Sequence, residues 1–180
     1  VALHGCAMGP TESRKISSRP LYTPEERRRR DATPWTLVQG VLAPVQFLAF
    51  LISLGLVLNF LWTGEGETAA TVSIVIKTLL LYTIMITGSI WEKVVFGHYL
   101  FAASFFWEDV FSMLVLALHT AYLVALFGDY LDVRGQMFLA LAAYAAYVIN
   151  ATQFLLKLRA ARLAQPAATE AAPATLGAAE

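Results

Sequence analysis

The chain is expected to be all-α: a polytopic membrane protein whose four transmembrane helices form an antiparallel bundle behind a short N-terminal amphipathic helix. Three observations predict this. Composition is the first: 58% of the 180 residues are hydrophobic, 14% are charged and mean hydropathy is +0.60, too apolar for a soluble domain of ordinary proportions. The second is a set of four long apolar runs, at about 35–62, 69–90, 105–127 and 136–158. Each is long enough to cross about 30 Å of hydrocarbon. The third is the shortness of two links, Gly64 to Glu67 and Gly128 to Gly135, which forces the flanking spans to return antiparallel.

Residues 1–20 are polar, lack the apolar core of a signal peptide and are expected to be a disordered tail. The lone cysteine, Cys6, can build neither an internal disulfide nor a multi-cysteine metal site. Thr23-Pro24-Glu25-Glu26 has a capping residue, a proline at the first helical position and a glutamate three residues after the cap, so a surface helix starts there. It runs into four arginines, Arg27 to Arg30. In a soluble protein such a run reads as a nucleic-acid patch; directly before an apolar span it reads as an anchor on anionic lipid, with no nucleic-acid partner.

Thr33-Pro34 repeats the cap-and-proline signal, and from Trp35 to Trp62 no side chain ionises. Pro44 removes a hydrogen bond to the carbonyl of Gly40 and should kink this span, while Gln46 should face protein instead of lipid. The second span contains Lys77. An ammonium at that depth costs about 2.5–3.5 kcal/mol on insertion scales unless it finds a partner. The third span carries His119; the fourth carries Asn150 and Gln153 and closes with Lys157, Arg159 and Arg162. Residues 163–180, rich in Ala and Pro without periodicity, are expected to be disordered. Basic residues gather at both termini, whereas the two short links are acidic apart from Arg134. The positive-inside bias then puts both termini in the cytoplasm of a bacterial inner membrane.

Between the second and third spans lies a polar, aromatic hinge, Trp91 to Asp109, that holds Glu92, His98, Glu108 and Asp109. Helical periodicity aligns Glu108, Ser112, Val115, His119 and Tyr122 on one stripe, Lys77, Leu81, Ile84, Gly88 and Glu92 on a second, and Ala143, Tyr147, Asn150 and Phe154 on a third. Counting residues from the span ends puts Lys77 level with His119, Gln46 level with Asn150, and the three acids at the cytoplasmic mouth. Each tier has a plain reading beside a functional one: a polar tie for Lys77 and His119, interhelical glue for Gln46 and Asn150, a solvated fringe for the acids. No phosphate loop, zinc-spaced histidine pair or nucleophile elbow is present. A catalyst built from these residues works by acid-base chemistry with carboxylate and imidazole.

The blocks LYTPEERRRRDATPWTLVQGVLAPVQF, IVIKTLLLYTIMITGSIWEKVVFGHYLFAASFFWEDVFSMLVLALHTAYL and LALAAYAAYVINATQFLLKLR resemble the 3-vinyl bacteriochlorophyllide hydratase family of bacteriochlorophyll biosynthesis. The likeness covers Leu21 to Arg162 and leaves out the two tails. It implies addition of water to the C3 vinyl group of a chlorophyllide or bacteriochlorophyllide, giving a 1-hydroxyethyl group, in a photosynthetic bacterial membrane. The implied partners are that pigment, water and the bilayer, with other pigment-biosynthesis enzymes or a second copy of the chain. No cofactor is implied, because the substrate brings its own magnesium and the protein needs no metal. The resemblance carries no residue roles, so these follow from chemistry. Glu108, beside Trp107 and Phe106, is expected to donate the proton, its affinity for it raised by desolvation and neighbouring acids, while Glu92 or Asp109 orients the water. His98 or His119 is a natural axial ligand to the substrate magnesium, and Lys77, Lys93 or an arginine can meet the propionate. Trp91, Trp107, Tyr147 and Asn150 complete the expected binding set. The other class of function is a non-catalytic chlorin carrier or assembly factor in the same pocket. A proton-coupled transporter using Lys77 and His119 as a relay is a third.

Overall fold

The computed structural model describes residues 21–170, with side chains through residue 160. It consists of five helices: α1 (Pro24–Ala32), α2 (Pro34–Thr63), α3 (Glu67–Phe96), α4 (Phe106–Phe127) and α5 (Val133–Glu170). The last four are long and apolar enough to cross a membrane, and they form an antiparallel bundle.

Local chemistry explains where each helix starts and stops. In α1 the Thr23 hydroxyl accepts from the Glu26 amide while the Glu26 carboxylate accepts from the Thr23 amide, the reciprocal cap the sequence predicts. Gly64 ends α2 in the left-handed conformation, at φ 77°, with its N–H donating to the Phe60 carbonyl. Asp132 accepts from the Gly135 amide at the start of α5.

Two boundaries differ from expectation. The second span was expected to end near residue 90, but α3 continues to Phe96, because the left-handed stop comes only at Gly97, φ 87°. The first six residues of the supposed hinge are therefore the last turns of α3. Helix α5 runs on from the expected end near 158 to Glu170, into the stretch expected to be disordered. The disorder expected at 1–20 and at 171–180 falls on residues outside the described ones. Pro44 lies inside α2, which remains one helix through it.

The bundle is two hairpins, α2 with α3 and α4 with α5, closed by narrower α2–α5 and α3–α4 seams. Near the edge with the two short turns, Phe50, Val57, Ile74, Tyr122, Met137 and Tyr144 form the main core. Phe50 packs edge-on to Tyr144 at 5.5 Å. Lipid is as apolar as these side chains, so close packing and hydrogen bonds join the helices more than the hydrophobic effect does. Bonds of this kind that cross between helices include Ser53 to Tyr144 at 2.5 Å, Ser53 to Ser73 at 2.7 Å, Gln39 to Thr87 at 2.8 Å and Tyr82 to Thr120 at 2.9 Å. Leu48, Ile52, Ile86, Leu114 and Ile149 face outward, as a hydrocarbon solvent requires. At the other edge α1 lies on α3, and Tyr22 stacks on Phe96 at 5.7 Å.

Candidate active site

The polar side chains collect in two tiers. The first is at the edge where α3 ends and α4 begins. Glu92 sits near the end of α3, Glu108 and Asp109 are in the first turn of α4, and all three are 4–7% exposed. An acid in the first turn of a helix is favoured by the partial positive charge of the exposed amides there.

Each carboxyl has its own partners. The Glu108 carboxylate accepts from Lys157 Nζ on α5 at 2.6 Å. Asp109 Oδ2 accepts from the Phe101 amide at 2.7 Å, and Glu92 Oε2 accepts from the Ala102 amide at 3.4 Å. Because those two amides are consecutive, the Glu92 and Asp109 carboxyl groups lie side by side. Two carboxylates so placed repel when both are ionised, and one proton between them removes the repulsion. The 97–105 connection is thus fastened from beneath by this acid pair. Phe101 sits at φ 60°, a left-handed conformation that a side chain makes unfavourable by about 1–2 kcal/mol. The bond to Asp109 helps hold it there.

Aromatic rings wall this tier. Trp91 and Phe96 each meet Phe105 edge-on, at 5.9 and 5.8 Å, and Phe154 stacks on Phe105 at 5.9 Å. Trp91 Nε1 donates to Thr36 at 2.9 Å, which fixes the indole. Ser104 donates to the Leu21 carbonyl and Arg29 to the Val95 carbonyl, so the segment before and within α1 braces the same wall. Outside it, His98, Tyr99, Phe101, Phe106 and Trp107 are exposed, Trp107 by 67%. Lys93 donates to the Gly97 carbonyl at 2.9 Å and lies over Tyr99.

The second tier is in mid-bundle. Lys77 Nζ and His119 Nε2 are 3.0 Å apart, and both residues are fully buried. His119 Nδ1 donates to the Val115 carbonyl at 2.8 Å, which leaves Nε2 to accept from the lysine. Lys77 Nζ also lies over the Tyr147 ring at 4.3 Å and the Tyr144 ring at 5.2 Å. One level nearer the acids, Asn150 Nδ2 donates to Ser112 Oγ at 2.8 Å.

The residues singled out by sequence are therefore sorted by place. Glu92, Asp109 and Glu108 come together with Trp91; Lys77, His119 and Tyr147 come together separately; Asn150 lies between the two groups. His98, Lys93 and Trp107 are on the outer surface. Two expected roles do not fit. A carboxylate in an ion pair accepts hydrogen bonds, so Glu108 on Lys157 is not placed as a proton donor. Both ring nitrogens of His119 are engaged, so it is not placed as an axial ligand. Lys157 was read only as a basic flank, yet it continues the Tyr147, Asn150, Phe154 stripe by three residues. That spacing was the signal that could have found it. Phe105 and Tyr22 were missed because only tertiary packing brings α1, α3, α4 and α5 around one ring.

Fold and site together define a class: polytopic helical membrane proteins with a buried carboxyl cluster at one edge. Within that class the chain belongs to the 2-vinyl bacteriochlorophyllide hydratase family, whose model matches residues 22–160. It is 71% identical over 154 residues to the 2-vinyl bacteriochlorophyllide hydratase of Rhodobacter capsulatus, covering 86% of this chain and 90% of that one. It is 69% identical over 162 residues to the protein of that name from Cereibacter sphaeroides, covering 89% and 99%. No solved structure matches.

Proposed function

We propose that this protein hydrates the vinyl substituent of a chlorophyllide or bacteriochlorophyllide at the edge tier, giving a 1-hydroxyethyl group. The relatives' name numbers that vinyl group 2, and current macrocycle numbering calls it 3. The observation that carries the assignment of the chemistry is the Glu92–Asp109 pair, two buried acids held side by side against an aromatic wall in a chain of this family.

The pair gives its proton to the terminal vinyl carbon. The positive charge left on the inner carbon is delocalised into the macrocycle, and a water oxygen bonds to that carbon. The second proton of that water returns to the carboxylate pair, so the acid is regenerated and the net change is one H2O added across one C=C. Glu108, held by Lys157, supplies fixed negative charge beside the developing cation. The protein supplies no cofactor, and the magnesium travels with the substrate.

Access requires the 97–105 connection to leave the acids, releasing the Phe101 and Ala102 amides. The exposed rings of Tyr99, Phe106 and Trp107 then offer a flat ligand its first contact at the membrane boundary. His98 is exposed on that surface, where it can meet the substrate magnesium, and exposed Lys93 can leave the Gly97 carbonyl to meet a propionate. Both termini and the acid edge face the cytoplasm in this reading. Membranes holding the wild-type chain should convert vinyl pigment to the hydroxyethyl product, and Asp109→Asn membranes should not. Unchanged conversion by Asp109→Asn and by Glu92→Gln would remove the pair from the reaction. A wild-type chain that binds pigment and leaves the vinyl group intact would make it a carrier.

A further inference from the structure

Between the two tiers lies a group of amides that neither the fold nor the reaction accounts for. Gln46 is 2% exposed, and neither its Nε2 nor its Oε1 has a hydrogen-bond partner among the described residues. The same holds for the buried Oδ1 of Asn150 and Oε1 of Gln153.

Helix register puts these atoms at neighbouring levels. The Phe50 and Tyr147 rings, 5.1 Å apart, pin α2 against α5. Gln46 is one turn from Phe50, and Asn150 is three residues from Tyr147. Because α2 and α5 run in opposite directions, both steps lead towards the acid edge, by roughly 4.5–6 Å at 1.5 Å per residue. Gln153 follows by three residues and Lys157 by four more, where the lysine meets Glu108. Asn150 already spends its Nδ2 on Ser112, which is one turn from Glu108 along α4.

We propose that Gln46, Asn150 and Gln153 frame a buried water site in the bundle interior, and that it supplies the water consumed at the edge tier. The second half of this rests on the hydratase reading; the first does not. One amide donor and three carbonyl acceptors are the complement of water, which donates twice and accepts from N–H. The position also suits delivery: the alkene approaches from the outer surface across the aromatic wall, and water reaches it from the opposite side. Neither reactant has to pass the other. Protonation and water attack stay balanced as written above, since the site passes on a neutral molecule.

The test uses the full chain in detergent or membranes, with two variants of nearly conserved volume, Gln46→Met and Gln153→Met. Radiolytic labelling in oxygen-18 water reads ordered water beside Tyr147 and Phe154. Wild type should label both rings, and Gln46→Met should lose that labelling several-fold. Thermal stability discriminates further. Removing an amide from a dry site relieves an unpaired group and raises Tm; removing it from a water site breaks bonds and lowers Tm. Gln153→Met removes a single acceptor and should show smaller changes of the same sign. With pigment, Gln46→Met should lower kcat several-fold and leave KM for the pigment unchanged. Absent labelling in wild type, or a raised Tm in both variants, would overturn the site. Labelling and Tm as expected, with turnover unaffected, would overturn the delivery role. A wild-type chain that labels but forms no hydroxyethyl product refutes the hydratase reading and the delivery role with it, leaving the water site intact.

Discussion

The edge tier and the middle tier use the same three helices, α3, α4 and α5, yet treat charge in opposite ways. At the edge, three acids are matched by a lysine and two loop amides. In the middle, Lys77 has a histidine lone pair and two ring faces, and no carboxylate among its described partners. Depth explains the difference. In the proposed reaction the connection near the boundary lifts, so a proton can be exchanged there. In mid-bundle the Lys–His contact ties α3 to α4 across the seam between hairpins. The comparison teaches that a buried ionisable residue in a membrane bundle is not by itself a site; the segment above it has to be able to open.

The largest expected effect breaks the comparison outright. Asp109→Asn should lower vinyl hydration by 10²–10⁴, the range of a lost general acid, whereas Lys77→Met should retain most of it, both read as hydroxyethyl product. If Lys77→Met costs more than Asp109→Asn, the tiers have been assigned the wrong way round. Next is Lys157→Met, which leaves the Glu108 carboxylate buried and unpaired. Lys157 is 28% exposed, so solvent screening reduces the usual cost to about 2–3 kcal/mol, seen as a lower denaturant midpoint. Adding Glu108→Gln should recover most of that loss. Lys77→Met should stabilise the chain by about 2–3 kcal/mol in the same measurement, since an insertion cost of about 2.5–3.5 kcal/mol outweighs a tie averaging about 0.6. The smallest effect is Phe101→Gly, which relieves the left-handed backbone and should leave stability within about 1 kcal/mol of wild type. Freer opening of the 97–105 connection would show in that variant as faster amide exchange at Phe101 and Ala102.

Much of the fold was legible in advance because its signals are local. Thr23 and Glu26 specify a cap within four residues, and the absence of charge from Trp35 to Trp62 specifies a span without reference to anything else. The pairing of Lys77 with His119 also followed from counting, since antiparallel helices at equal depth must meet. The end of α3 was misplaced because polar and aromatic residues suggested a loop at Trp91, while the backbone signal that stops a helix waited at Gly97. Partners were harder than levels. Glu92, Glu108 and Asp109 share a level with Lys157, and adjacent residues on a helix point about 100° apart. Which acid meets the lysine and which sits beside Glu92 depends on how α4 is rotated between α3 and α5.

The amino-acid order alone determined four crossings, two hairpins, an acidic edge and a buried lysine level with a histidine. All of these follow from hydropathy, caps and the 3.6-residue repeat, which act within one segment or between consecutive ones. Tertiary structure alone decided that Glu108 is taken by Lys157, that Glu92 and Asp109 sit side by side beneath Phe101 and Ala102, and that Gln46 is buried without a partner among the described residues. Those outcomes depend on the rotation of each helix about its own axis, and that rotation is set by the packing of all the helices at once.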